Sequence, residues 1–572
     1  MSNFRLLGGT FLVIGLVACK DTLVVEDIND PDRIRALSRP GDIEAFIGST
    51  YAQVHNATLG GSNDDLQTQL QVMGMENTSS LANFAMSPRG AIPRTQIDNT
   101  RGGTGGAGNN RDFQVLHRAA RMAAWAVGAM KNVLTLFTAP QEARARSFAR
   151  FVEGVAYGNL ALAYDSAAIL GDDDPPGTIQ QLKGYREVMD NALLLLDSAM
   201  TIARSSPALL VGTTGGLPAT WIPGHDPSNA TRLDTTAYFQ LIRSYKARFR
   251  ASVARTPAER AAAPWDSIIA DANAGIPADF NIAANPSTGW DVAWVAQAFA
   301  TGSANWHQMS QFWLGMADSS GGYNAWLATS PPVARVPFVV VTADKRFPRG
   351  TSCVAPCGQT VRASQLGDTN RTFSGTPYIR NRSPGDDQPG QPLQISMYDF
   401  YRSRAFSSAG RIGNYPIMTR AEIRLLAAEG YIRAGNIAAA RVRIDSSRTV
   451  AGLPKLDPTV TDTISAIPGG TACVPRVPDA NATAGPYKGT RCGRLWDALK
   501  WEYRLETMYT GYGMWYFAGR GWGDLPEGTA LYWPVPYQEM DSRREPFYGI
   551  GGPGGVGAAG RGNYGLFSGG VY

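Results

Sequence analysis

Cys19 carries the most sharply defined chemistry in this chain of 572 residues. It closes Leu16-Val17-Ala18-Cys19, behind Arg5 and an apolar run from Leu6 to Ala18. A positively charged start followed by a short apolar stretch is what export machinery reads. The run falls short of the roughly 20 residues that a membrane-spanning helix requires. Leu, a branched residue, Ala and Cys in that order form the pattern of a bacterial lipobox. Residues 1–18 are therefore expected to be cleaved and the Cys19 sulfur to carry a lipid such as palmitate. Lys20 rather than Asp follows, which fits release to the outer membrane.

The remaining cysteines are Cys353, Cys357, Cys473 and Cys492. An even number in an oxidising compartment predicts two disulfides, one local (Cys353 with Cys357) and one stapling a Pro/Ala/Gly loop (Cys473 with Cys492). Neither pair has the Cys-x-x-Cys spacing of a tetrahedral zinc site.

Two regions could recognise a ligand. Trp290, Trp294, Trp306, Trp313, Tyr323 and Trp326 crowd one stretch, with Asp291, Asn305, His307, Gln308 and Asn324 among them. Flat aromatic faces beside planar amides are what a sugar site uses. Trp290 and Trp294 are four residues apart and Trp306 and Trp313 seven, so pairs share a helical face, as they also would in a core. At least one exposed platform is expected among them. The second region, Asn77 to Asn110, offers Arg89, Arg94, Gln96, Asp98 and Asn99 before the glycines of Gly102–Gly108. It is no P-loop, because no Gly-Lys-Ser/Thr follows.

Other groups read as ordinary surface. Asp172-Asp173-Asp174 lacks the alternating spacing of a calcium loop and is expected to be a solvated acidic turn. Glu502 and Glu506 share a helix face with Lys500 and Arg504 and read as a charged face rather than a glycosidase pair. The four histidines, His55, His117, His225 and His307, have no companion at metal-ligand spacing, and no nucleophile elbow occurs. The chain is read as a non-enzyme without cofactor or metal. A net charge of +5 with no basic cluster argues against a nucleic-acid partner.

The elements that must position these groups are mostly helices. Amphipathic spacing predicts Asp42–His55, Asp112–Phe137, Gln141–Leu170, Gly184–Ala203 and Thr235–Ala254. Strand alternation is confined to Val336–Val341 and Leu393–Tyr398. Thr419-Arg-Ala-Glu422 is a capping box opening a helix to about Ala434, Gly435 stops it, and Asn436 caps a second helix from Ile437 to about Arg448. Such Ala-lined hairpins are the unit of tetratricopeptide-like stacks. Irregular segments intervene at Ser205–Ser228, Pro277–Gly289, Ser364–Gly390 and Pro454–Gly493. The Gly-rich tail from Gly549 holds a formal dinucleotide fingerprint, but without strand or helix around it this is low complexity.

Taken together, these motifs resemble the SusD/RagB family of outer-membrane nutrient-binding lipoproteins. The lipobox at Cys19, Pro40 to Tyr51, Arg144 to Leu170, Arg420 to Asn436 closed by Arg448 to Pro454, and Trp501 to Glu506 followed by Tyr532-Trp-Pro534-Val-Pro536 and Glu539 carry the resemblance. Thr510 to Trp515 replaces the usual Glu-Gly-x-Arg-x-x-Asp-Leu, marking a divergent branch. The resemblance implies a mostly α, single SusD-like body of tetratricopeptide-like helix pairs with a loop-rich irregular half and few short strands. It divides the chain into a signal peptide (1–18), a lipidated tether (19–40), a ligand-binding body (41–548) and a tail (549–572). It also implies capture of a nutrient, commonly a glycan or oligosaccharide, at the cell surface for a SusC-like TonB-dependent transporter. Under it, Arg89, Arg94, Asn99, Trp290, Trp294 and Trp306 are the candidate ligand residues. The rival expectations are an exported helical polysaccharide-degrading enzyme and a lipid-anchored protein-interaction scaffold.

Overall fold

A computed structural model describes residues 37–61, 65–78, 89–175, 177–206, 216–224, 233–295, 308–329, 334–348, 377–381, 396, 398–479 and 489–562. The lipobox with Cys19, the Cys353/Cys357 pair and Trp306 lie outside these residues. The main helices, in order, are α1 (Pro40–Thr58), α2 (Leu66–Met73), α3 (Gly106–Met130), α4 (Ala139–Ala163), α5 (Tyr185–Ser205) and α6 (Thr235–Ser252). They continue with α7 (Trp265–Asn273), α8 (Arg420–Arg433), α9 (Ile437–Val450), α10 (Leu495–Thr507), α11 (Met514–Trp522) and α12 (Tyr537–Arg543). The protein is mostly α, as the periodicity predicts.

The helices pack in succession: α1 on α3, α3 on α4, α4 along α5, α7 on α8, and α8 on α9. Helix α4 is the axis of this stack and is buried on nearly every side from Ser147 to Tyr164. Two glycines let its neighbours approach. A Cβ at Gly154 would lie 2.8 Å from the Leu196 side chain on α5, and one at Gly158 would lie 2.2 Å from the Phe249 ring on α6. At the hairpin, Thr419 accepts from the Glu422 amide at 3.1 Å and Asn436 from the Ala439 amide at 3.1 Å, so both N-caps form, but the Glu422 carboxylate is held by Arg248 and the reciprocal half of the expected capping box is not made. Gly435 supplies the left-handed residue between them, at φ +75°.

Two buried bidentate ion pairs fasten the earlier helices to this hairpin. Arg248 on α6 donates to both Glu422 oxygens at 2.6 and 2.7 Å, and Arg260 to both Glu429 oxygens at 2.9 and 2.7 Å. Removing one partner of such a pair strands a buried charge and typically costs 3–5 kcal/mol.

Strands are short and antiparallel: β1 (Asn77–Thr78) with β5 (Gln308–Met309), β2 (Ser166–Ala168) with β3 (Leu182–Gly184), and β4 (Phe280–Ala284) with β8 (Gly413–Met418). Likewise β6 (Ile379–Asn381) pairs with β7 (Tyr398–Phe400), and β9 (Arg476–Pro478) with β10 (Thr490–Cys492). The Cys473–Cys492 disulfide forms as expected, beside this last ladder.

Four sequence expectations are corrected. Val336–Val341 is extended but joins no ladder, because its amides go to side chains: Val340 N–H to the Tyr398 hydroxyl at 2.9 Å and Val341 N–H to Asp318 at 3.1 Å. Conversely, Pro277–Gly289 is not wholly irregular, since Phe280–Ala284 buries alternate residues against β8. Helix α3 starts within the glycines at Gly106, six residues earlier than its amphipathic spacing begins, where Gln538 donates to the Gly106 carbonyl at 3.3 Å. Helix α4 stops at Ala163 rather than Leu170, because Ser166–Ala168 leaves to pair with β3 and Asp165 N–H bonds the Trp533 carbonyl at 3.0 Å. Of Leu393–Tyr398, only Ser396 and Tyr398 are described, and Tyr398 opens β7.

Residues 549–562 of the Gly-rich tail are folded in. Gly551 bridges Gln96, Ala558 bridges Ala530, and Ile97 N–H bonds the Ile550 carbonyl at 2.8 Å.

Candidate functional site

The residues singled out from sequence turn inward. Arg89 is buried and donates to the Gln69 amide oxygen at 3.1 Å. Burial pushes its guanidinium down to about 10. Arg94 is buried too, spanning the Met73 carbonyl at 3.0 Å and the Thr529 hydroxyl at 3.1 Å, with a further bond to the Arg89 carbonyl. Asn99 donates to the Val535 and Tyr548 carbonyls at 2.9 and 3.1 Å and accepts from the Tyr537 amide at 3.0 Å. Arg94 and Asn99 thus clamp the segment after α2 onto residues 529–548, while Arg89 ties it back to α2. Trp290 packs on Tyr51 and His55, with ring centroids at 6.3 and 5.1 Å. Trp294 is 1% exposed, against Tyr415 and Tyr509. Trp313, Tyr323 and Trp326 are buried as well, so the expected exposed platform is not found among the described aromatics of this stretch.

Glu502 and Glu506 do not form a charged face. Both are buried, and Arg346 donates to them at 2.8 and 3.2 Å while also holding Asp344. The acidic turn is consumed locally: Asp172 by Arg150 at 2.6 Å, Asp173 by Lys131 at 2.6 Å, and Asp174 by the Gly171 amide and Gln180 at 2.7 and 2.9 Å. No cluster of metal-ligating side chains occurs among the described residues.

What the structure offers instead is an open cleft of about 490 Å³ along α3. Its floor is Phe113, His117, Arg118 and Arg121, one face of the helix at i, i+4, i+5 and i+8. The loop from Ala168 to Gln180 forms one wall, and Glu539 and Arg543 of α12 close the end. Arg543 latches the wall, donating to Glu539 at 2.7 Å and to the Gln180 carbonyl at 2.7 Å. A second hollow of about 320 Å³ continues along the same helix past Trp125 to Asn132, lined also by Asp172–Pro175 and by Leu37 and Ser38, the first described residues.

His117 is tied at both ring nitrogens. Ala168 N–H donates to Nε2 at 3.2 Å, which makes Nε2 an acceptor and leaves the proton on Nδ1, facing the Phe113 carbonyl at 2.8 Å. Burial holds its pKa below the usual histidine range, so the ring is neutral. Glu539 is occupied by Arg543. Arg118 is exposed, while Arg121 lies over the Trp125 ring at 5.3 Å with Nη1 buried and unbonded. Neither arginine meets a carboxylate in an ion pair among the described residues. The cleft is thus ligand-sized, poor in aromatic faces and rich in guanidinium donors. Its signal in sequence was weak, because Arg118 and Arg121 look like any solvated face of a long helix.

No protein-family model and no curated protein matches the sequence. Solved structures do match. A SusD superfamily protein from Bacteroides thetaiotaomicron superposes with a TM-score of 0.51 at 10% identity, over 88% of this chain and 98% of its own. A SusD homolog and a SusD superfamily protein from Parabacteroides distasonis each give 0.51, at 13% and 12% identity, over 88% of this chain and 93% and 97% of theirs.

The fold is SusD-like.

The similarity expected from the motifs at Pro40, Arg420 and Trp501 therefore holds at the level of the fold. Identities of 10–13% make this a likeness of fold. No helix among the described residues is long and apolar enough to cross a membrane.

Proposed function

We propose that this chain is a lipid-anchored protein of the outer-membrane surface. It captures a nutrient, a glycan or oligosaccharide, in the α3 cleft and passes it unchanged to a SusC-like TonB-dependent transporter. The observation that carries this reading is the extent of the SusD-like fold, which accounts for 88% of this chain and 98% of the Bacteroides thetaiotaomicron protein. The likeness thus covers a whole body rather than one shared helix pair. The cleft supports it, since its volume falls in the roughly 300–1,000 Å³ range of small-molecule sites.

The same residues support binding without turnover. General acid–base catalysis needs a group free to exchange a proton with substrate. In the cleft, both nitrogens of His117 hold backbone partners and Glu539 holds Arg543. Equilibrium dialysis of the purified protein against a saccharide panel, followed by a reducing-end assay, tests the reading. Retention of at least one saccharide with no new reducing ends is expected. New reducing ends would instead favour the polysaccharide-degrading alternative.

A second reading, a lipid-anchored scaffold that binds only proteins, draws support from the burial of Trp290, Trp294, Trp313 and Trp326. Retention of no saccharide by the panel would favour it.

A further inference from the structure

We infer that the α3 cleft selects a ligand bearing an anionic group, a carboxylate or a sulfate, and that Arg118 and Arg121 are the residues that select it. This rests on reading the cleft as the capture site. The titratable groups of the cleft are His117, Arg118, Arg121, Glu539 and Arg543. Arg543 pairs with Glu539 at 2.7 Å, and burial holds the His117 pKa below the usual histidine range while both its ring nitrogens are bonded to backbone groups. The nearest acidic side chain of the wall, Asp174, is spent on the Gly171 amide and Gln180. Arg118 and Arg121 are left, three positions apart on α3 and in no ion pair among the described residues, Asp174 acting on Arg121 only across a longer distance.

Arg121 gives the stronger indication. Its Nη1 is buried without a hydrogen-bond partner. A buried guanidinium donor left unbonded is costly, so a ligand that satisfies it gains both the new bond and relief of that cost. Arg118, exposed beside it, adds a second donor at the mouth. Guanidinium pairs are suited to oxyanions that present two oxygens to two parallel N–H bonds. Neutral sugars, by contrast, are recognised largely on aromatic faces, and the cleft offers only the buried edge of Phe113.

The test is isothermal titration of the full chain with three probes of matched length: an oligogalacturonate (carboxylates), a carrageenan-derived oligosaccharide (sulfates) and a malto-oligosaccharide (neutral). At least one acidic probe is expected to bind about tenfold more tightly than the neutral one at low salt, and the ratio should shrink as salt rises. Which acidic probe wins identifies the anion. The ratio should fall toward one in Arg118→Gln/Arg121→Gln. Arg118→Gln alone should lower it and Arg118→Lys should partly restore it, while Arg146→Gln, an exposed α4 arginine outside the cleft, should leave it unchanged. Equal binding of all three probes, or a ratio kept by the double variant, overturns the inference and leaves nutrient capture standing. Binding of none overturns both.

Discussion

Glu76, just before β1, has Oε1 buried and unbonded, and burial pushes its carboxyl up to about 8 against the opposing pull of Arg504. A folded-state pKa above the unfolded one means that the native state holds the proton more tightly. The stabilisation is then complete below about pH 4.5 and is lost as pH climbs toward 8. That loss is on the order of 3–5 kcal/mol. In Glu76→Gln, which cannot ionise, urea midpoints measured from pH 5 to 8 should stay flatter than those of the parent. His55 works in the opposite sense. Its ring bonds the Asp291 carbonyl, Nδ1 is unbonded, and burial lowers its pKa to about 4. Stability from His55 is therefore lost as pH falls from about 6.5 to 4, and His55→Gln should soften that acid limb in the same titrations. Side-chain direction was the least legible property of the sequence. Arg94 and Asn99 are polar residues in a Gly-rich stretch, which reads as exposed. Their partners Thr529, Val535 and Tyr548 stand more than 400 positions away, where no local pattern announces them. Glu502 was misread for the same reason, since Arg346 reaches it from 156 positions upstream.

Elements were read far better than contacts, because caps and periodicity are local. The Thr419 and Asn436 caps and the Gly435 stop lie within a few residues of the helices they bound. Where boundaries moved, a distant partner moved them: Trp533 ends α4, and Gln538 meets the first turn of α3. Packing between elements turns on the smallest residue of α4. Gly158→Ala should gain up to about 1 kcal/mol in helix propensity. It also drives a methyl group to 2.2 Å from the Phe249 ring, which forces the two helices apart. Overpacking of this kind costs about 1–3 kcal/mol, so the thermal midpoint should fall despite the better helix former. The β9–β10 unit depends on a covalent link instead. Cys473 and Cys492 are 19 positions apart, and closing a loop of that length is worth about 3 kcal/mol in chain entropy. Cys473→Ser/Cys492→Ser should melt lower than the parent under oxidising conditions, and the difference should vanish in reductant.

At the scale of the molecule, the stack of helices from α1 to α9 sets a rigid frame, and α3 presents its cleft on that frame. The hollow that continues the cleft reaches Leu37 and Ser38. The order of helices was legible because it rests on spacing within tens of residues. The cleft was not, since it joins α3, the loop after β2 and α12, which are brought together only by the fold. An anchored receptor needs no high affinity of its own, because a short tether keeps its effective concentration beside a partner high. The central claim, a lipid-anchored catcher that works on a transporter, is tested most directly by purifying tagged full-length protein and Cys19→Ser from native outer membranes in mild detergent. The account predicts that the parent protein brings down a TonB-dependent β-barrel in near-equal amount and incorporates labelled palmitate, and that Cys19→Ser does neither. Recovery of the parent protein alone, unlabelled and without any barrel, would contradict it.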